Sequence, residues 1–256
     1  MIVEYHRPQS IDEAMHLLAR ETPKTFPLGG GTVLNLPDQL PIAVVDLQSL
    51  GFDILSKANN VWQIGATVRL QQLIKEEAIY PALKAAILHE ATYNIRQVGT
   101  IAGSLVSGNG RSPLAAAMLA VSTQVELLPG DEPVSLGEFL LFREGKQKKS
   151  YLITQINFPS NLRLAYEYVA RTPADLPIVC AAVAQWPTGR TRAVLGGYGN
   201  SPLLAFDGPN PMGCEVAARD AYSEAGDPWA SADYRRNMAF VLTQRCLKQV
   251  TSMDGD

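Results

Sequence analysis

The sequence predicts an α+β protein, with two small α/β units over residues 1–159 and a C-terminal α+β layer over residues 160–256. Three observations lead there. Residues 2–47 read as strand, helix, glycine loop and strand, a unit of the βαβ kind. Within it, Ile42 to Leu47 (IAVVDL) is a near-continuous apolar run, the mark of a strand covered on both faces. The last third offers strand-like segments first and two helices afterwards, the order of an α+β layer.

Each element has a local reason. Ile2 to Tyr5 alternates as a strand, and Ser10 with Glu13 forms a capping box for a helix burying Ile11, Ala14, Leu17 and Leu18. Lys24 to Phe26 is a short strand before the glycines, and Ile42 to Leu47 follows them. The second unit, residues 51–159 against 1–50 for the first, opens with two strands, Ile54-Leu55 and Val61 to Ala66, around an Asn59-Asn60 turn. Thr67 is placed as the cap of a helix carrying Leu70, Leu73 and Ile74, and Pro81 to Thr92 forms another. A glycine-rich loop then leads into a helix from Pro113 to Val121, capped by Ser112. Gln124 to Leu128 and Tyr151 to Phe158 are strands, with a short helix starting near Ser135. Beyond a hinge at Ser160-Asn161, strands are expected at 164–170, 178–185 and 192–197, and helices at 213–225 and 232–250.

Composition narrows the function classes. With 46% apolar and 18% charged residues the chain reads as an ordinary soluble globular protein. A net charge of −3 and a pI near 5.7 offer no electrostatic case for nucleic acid or an anionic membrane. The densest basic run, Lys146, Lys148 and Lys149, is read as a solvated loop. No signal-peptide core and no bilayer-spanning apolar run is seen, and the cytoplasm is the expected compartment. Cys180, Cys214 and Cys246 are too scattered for a disulfide framework or a metal site. His6, His16 and His89 are read as surface or packing residues.

Chemistry concentrates in two glycine-rich stretches, Pro27-Leu28-Gly29-Gly30-Gly31-Thr32 and Val98 to Val121. Consecutive glycines are costly to order, and one reason for them is a nest of backbone N–H groups around an anion. The second stretch, ending at a helix N-terminus, suits a phosphate for the same reason, or else serves as a connecting turn. Neither is a dinucleotide fingerprint or a P-loop, because the required spacing and the Gly-Lys-Ser/Thr are missing.

The order of motifs is more specific. Gly-Gly-Gly-Thr near residue 30, Ile-Gly-Ala at 64–66, Ile-Arg-Gln-x-Gly-Thr-Ile-x-Gly-Ser at 95–104, Ala-Arg-x-x-x-Asp-Leu at 170–176 and Tyr-Arg-Arg at 234–236 occur in sequence. This pattern resembles the FAD-binding (medium) subunit of the molybdenum hydroxylases, the group of xanthine dehydrogenase and aerobic carbon monoxide dehydrogenase. The resemblance implies a PCMH-type FAD-binding fold of two subdomains followed by a C-terminal domain of the carbon monoxide dehydrogenase flavoprotein type. It implies FAD as cofactor, and iron–sulfur and molybdopterin subunits as partners. The role it implies is electron transfer from iron–sulfur clusters to NAD, a quinone or oxygen, with substrate oxidised in another subunit. No catalytic residue is expected on this chain.

The resemblance assigns Leu28, Gly29, Gly30, Gly31, Thr32, Val33 and Leu34 to the first flavin loop and Thr100, Ile101, Ala102, Gly103 and Ser104 to the second. Asn109 and Arg111 join them as cofactor-binding candidates, Arg111 as a phosphate partner or a solvent-facing loop arginine. The chain departs from the family at Ala102 and Ser104, where Gly and Asn are usual, at Val33, which cannot hydrogen-bond, and at Pro113, which replaces an Asp that binds the flavin's sugar-alcohol chain. Each lost hydrogen bond costs about 0.5–1.5 kcal/mol, and each 1.4 kcal/mol is roughly tenfold in affinity. Three readings follow: an FAD-binding electron-transfer subunit, a relative that has lost FAD and acts in assembly or interaction, and an unrelated α/β binding domain.

Overall fold

The computed structural model describes residues 1–34, 41–130, 132–144 and 151–252, and the lysine run at 146–149 lies outside them. In chain order the elements are β1 (Ile2–His6), α1 (Ile11–Leu18), β2 (Lys24–Leu28), β3 (Ile42–Asp46), β4 (Leu55–Ala58), β5 (Val61–Gly65), α2 (Leu70–Lys75), α3 (Pro81–Glu90), α4 (Tyr93–Val98), α5 (Ile101–Ser107), α6 (Pro113–Ala120), β6 (Gln124–Leu128), β7 (Val134–Ser135), α7 (Leu136–Glu144), β8 (Leu152–Pro159), β9 (Arg163–Val169), β10 (Val179–Gln185), β11 (Thr191–Gly196), β12 (Leu203–Gly208), α8 (Cys214–Ala221) and α9 (Ala232–Ser252).

The chain divides into two compact units, one of residues 1–75, 93–107 and 124–157 and one of 76–92, 108–123 and 158–256. The second unit thus draws α3 and α6 from within the first 159 residues.

In the first unit, β1, β3 and β2 form a parallel sheet in that order. Every residue of β3 is buried, as its apolar run requires of a central strand. Ser10 Oγ accepts from Glu13 N at 3.2 Å, while the Glu13 carboxylate reaches back to Gln9 N at 2.9 Å, so α1 starts with a working cap. It packs Ala14 and Leu18 on Val45, Leu47 and Leu152. A second, five-stranded sheet has the order β4-β5-β8-β6-β7. Its first hairpin turns on Asn59 (φ 49°) and Asn60 (φ 61°), both left-handed, as a two-residue turn demands. At α7, Ser135 Oγ accepts from Glu138 N while Glu138 accepts from Ser135 N at 3.0 Å, a second capping box.

Three expectations are corrected here. Thr67 does not cap α2, because Val68 to Leu70 first pair as extended backbone with Gly99 to Ile101. The stretch taken as one long glycine loop contains α5. Strand β12, unforeseen, is an edge strand with Leu203 and Leu204 exposed, so burial leaves little mark on its sequence.

The second unit is built on the antiparallel sheet β12-β11-β10-β9. The outward alternation of β10 divides its side chains: Val179, Ala181 and Val183 join a core with Cys214, Ala218, Leu242 and Cys246 of α8 and α9. Helix α6 packs on β10 and β11 as well. Its residues are all buried and half of them are alanine, and a Cβ on Gly196 would lie 3.6 Å from that of Ala116. The three cysteines are free and buried.

Arg235 ties this unit together. Its side chain is fully buried. The guanidinium donates to the carbonyls of Ile178 (3.2 Å), Ala225 (2.7 Å), Ala230 (3.3 Å) and Gly197 (3.4 Å) and pairs with Asp227 at 3.0 Å. The family motif at 234–236 is therefore an architectural feature in this chain. Replacing Arg235 with Met should lower the stability of the unit by about 3–5 kcal/mol, read as a lower urea midpoint, because it leaves several carbonyls without their donor and the half-buried Asp227 carboxylate without its cation.

His89 packs in the same unit. Its Nε2 donates to the Asp175 carbonyl at 2.7 Å, so Nδ1 accepts from the Tyr166 hydroxyl at 2.9 Å in the neutral ring. Burial holds His89 below the ordinary value of 6.5, opposed by the bond to the Asp175 carbonyl. The unfolded chain therefore takes up this proton at a higher pH than the native chain. The contribution is complete above pH 6.5 and is lost as the pH falls below that value. Unfolding midpoints should drop on acidification through this range, and His89→Gln should flatten that dependence.

Candidate functional site

Both predicted flavin loops belong to the first unit, and they touch. Strand β2 ends at Leu28, and Gly29 to Leu34 leaves the C-terminal edge of the parallel sheet, where ligands bind in open sheets of this kind. A Cβ on Gly30 would lie 2.0 Å from the Val98 carbonyl oxygen and 3.1 Å from Gly99 Cα. One on Gly29 would lie 2.6 Å from Thr100 Oγ1. Two of the three glycines are thus demanded by the approach of the second loop. Gly31 has another reason: its φ of 68° is left-handed, and such a residue lets successive N–H groups form an anion-holding concavity.

The second loop is short. Thr100 caps α5, its hydroxyl accepting from Gly103 N at 3.2 Å. Ile101 N donates to Val68 O at 3.0 Å, Ala102 N to Ala66 O at 3.4 Å and Ser104 N to Thr100 O at 3.0 Å. Those amides are held by the protein. The carbonyls of Ala66 and Val68 are partners that loop-by-loop reading missed, although the Ile-Gly-Ala motif at 64–66 pointed to their place. Ala102 sits inside α5 with negative φ, so its Cβ is unstrained. Gly103 is exposed and Ser104 half-buried on the same helix.

The amides of the first loop differ. Among the described residues, the N–H groups of Gly29, Gly30, Gly31 and Thr32 have no protein acceptor, and neither has that of Thr100. A row of free backbone donors beside an uncharged helix start is a donor set that fits a diphosphate. Val33 is 44% exposed and adds only apolar surface.

The helix start at Pro113 proves to be closed. Ser112 Oγ accepts from Ala115 N at 3.1 Å, and the Glu90 carboxylate accepts from Ser112 Oγ at 2.7 Å and Leu114 N at 3.0 Å. Burial pushes the Glu90 carboxyl up, against the two bonds that favour its charge. An acid of the chain itself fills the place that the sequence offered to a phosphate. Asn109 and Arg111 lie in the second unit, where Asn109 Oδ1 accepts from Arg111 N at 2.8 Å. The Arg111 guanidinium donates to Leu176 O at 2.9 Å and Pro177 O at 3.1 Å.

An α+β flavin-binding subunit is the class of protein that this fold and paired-loop geometry define. Comparison with known proteins agrees. The family described as the FAD binding domain in molybdopterin dehydrogenase matches residues 1–161. The uncharacterized protein YgfM of Escherichia coli (strain K12) is 28% identical over 249 residues, which cover 94% of each chain. The carbon monoxide dehydrogenase medium chain of Afipia carboxidovorans is 27% identical over 277 residues, 96% of each. A crystal structure of the cyanide-inactivated Cu,Mo-containing CO dehydrogenase superposes with a TM-score of 0.81 at 25% identity, covering 98% of each chain. The chain belongs to the FAD-binding family of the molybdopterin dehydrogenases, as an oxidoreductase subunit.

The junction of the loops can be tested directly. Gly30→Ala drives a methyl group into the Val98 carbonyl and should cost about 1–3 kcal/mol, whereas Thr100→Val, which loses only the cap, should cost about 1 kcal/mol. Thermal unfolding of both variants should rank Gly30→Ala as the more damaging.

Proposed function

We propose that this chain is the electron-transfer subunit of a molybdenum-type hydroxylase or dehydrogenase, taking electrons from iron–sulfur clusters of one partner subunit. A molybdopterin subunit would oxidise the substrate, and FAD would supply the step from one-electron carriers to the final acceptor. Residues 28–34 and 100–104 form the proposed cradle, with the amides of Gly29 to Thr32 and of Thr100 donating to the diphosphate. The observation that supports this most is the contact of Gly30 with Val98, which sets free donors beside the start of α5. Because these contacts come from main chain, Val33 and Ser104 can depart from the family's usual residues without removing them. No helix among the described residues is long and apolar enough to cross a membrane, and the proposal places the complex in the cytoplasm.

A second reading, a relative that has lost FAD and serves assembly, is favoured by the engaged amides of α5 and by Glu90 filling the start of α6. The two separate in one experiment. Under the first, the purified protein is yellow or takes up added FAD with a flavin absorption spectrum, and Gly103→Val, which puts a side chain at the start of α5 with its Cβ 2.9 Å from Thr100 Oγ1, weakens that binding at least about tenfold. A colourless protein that refuses FAD decides for the second.

A further inference from the structure

The second unit carries a charged aromatic cluster that lies outside the proposed cradle of residues 28–34 and 100–104. Trp229 is 46% exposed, and two guanidinium groups share its indole: Arg111 lies 4.3 Å and Arg171 4.7 Å from the ring centroid. Each part is held in place. Arg111 is tied to the carbonyls of Leu176 and Pro177. Trp229 N donates to Asp227 at 2.8 Å, and Asp227 is paired with the buried Arg235. The loop bearing Arg171 closes through Thr172 N to Asp175 at 3.1 Å.

The two nearby acids therefore already have donors. Arg171 has no hydrogen-bonding or ionic partner among the described residues, and its loop position is exposed. Burial lowers the proton affinity of Arg111, with Arg235 and Arg171 adding repulsion against the attraction of Asp227 and Asp175. On a chain of net charge −3, two like charges held at one ring form a local excess of positive charge. Stacking on the exposed ring offsets part of the repulsion between them, and it also pre-orients the planar fork of each guanidinium for bidentate contact.

We infer that Arg171 and Arg111, clamped at Trp229, form a binding site for a phosphoryl group of a small molecule. A phosphoryl group has the charge of close to two units that would answer both cations, and several oxygens for the five N–H donors of Arg171 and the remaining ones of Arg111. A single carboxylate would answer only one. Its three residues belong to the second unit, whereas the loops of the proposed cradle belong to the first.

Calorimetric titration of the full chain with inorganic pyrophosphate and with ADP tests this, with FAD content measured on the same samples. Saturable binding is expected, weakened at least tenfold by Arg171→Ala and less by Arg171→Lys, with FAD content unchanged. Tighter binding of ADP assigns the site to a nucleotide, and equal binding assigns it to free phosphate or diphosphate. No saturable binding, or no effect of Arg171→Ala, overturns the inference. Loss of FAD from Arg171→Ala also overturns it, by making the site part of the flavin's. So does equal binding of a tetraglutamate peptide, which would give the cluster to an acidic protein partner. Failure of the flavin reading looks different: a colourless protein that still binds pyrophosphate or ADP.

Discussion

The first unit depends on one close approach, that of Gly30 to the Val98 carbonyl. A parallel sheet edge and a short helix can offer backbone donors to one ligand only if their loops lie within van der Waals contact. Any side chain at Gly30 would hold them apart. The cost of ordering three glycines is met by packing between main chains, which removes water without using side-chain volume. In the proposed cradle this would let flavin binding tolerate changed side chains such as Val33 and Ser104, since the donors are main-chain atoms that every residue but proline has.

The second unit solves a different problem. Its sheet is buried along β10 and β11 and its loops are irregular, so their carbonyls need donors. Arg235 supplies donors to carbonyls from the β9–β10 connection, from the turn after β11 and from the segment between α8 and α9. One side chain thereby links three connections that are far apart in the sequence. The fully buried position is tolerable because the ion pair with Asp227 and the carbonyls together replace water around the charge.

Much of this was legible in the sequence. Strands with a strong apolar run, such as β3 and β10, and helices with sequence-local caps, such as α1 and α6, are set by neighbours along the chain, and they were found. What escaped was decided by distant residues. Helix α5 forms because Ala66 and Val68 accept its first amides and Thr100 caps it, which no periodicity announces. Helix α2 begins three residues after Thr67 because the intervening backbone pairs with the second loop. The motifs were read correctly as a set. Their separate meanings, glycines for packing at 29 and 30, an arginine for architecture at 235, a carboxylate of the chain at α6, needed coordinates.

Glu90 has a further consequence. A helix whose start is completed by the chain's own acid owes nothing to a bound anion for its order. The order of α6 is set instead by residues of its own unit, the Glu90 carboxylate of α3 and the Ser112 hydroxyl, so that helix needs no ligand to be complete.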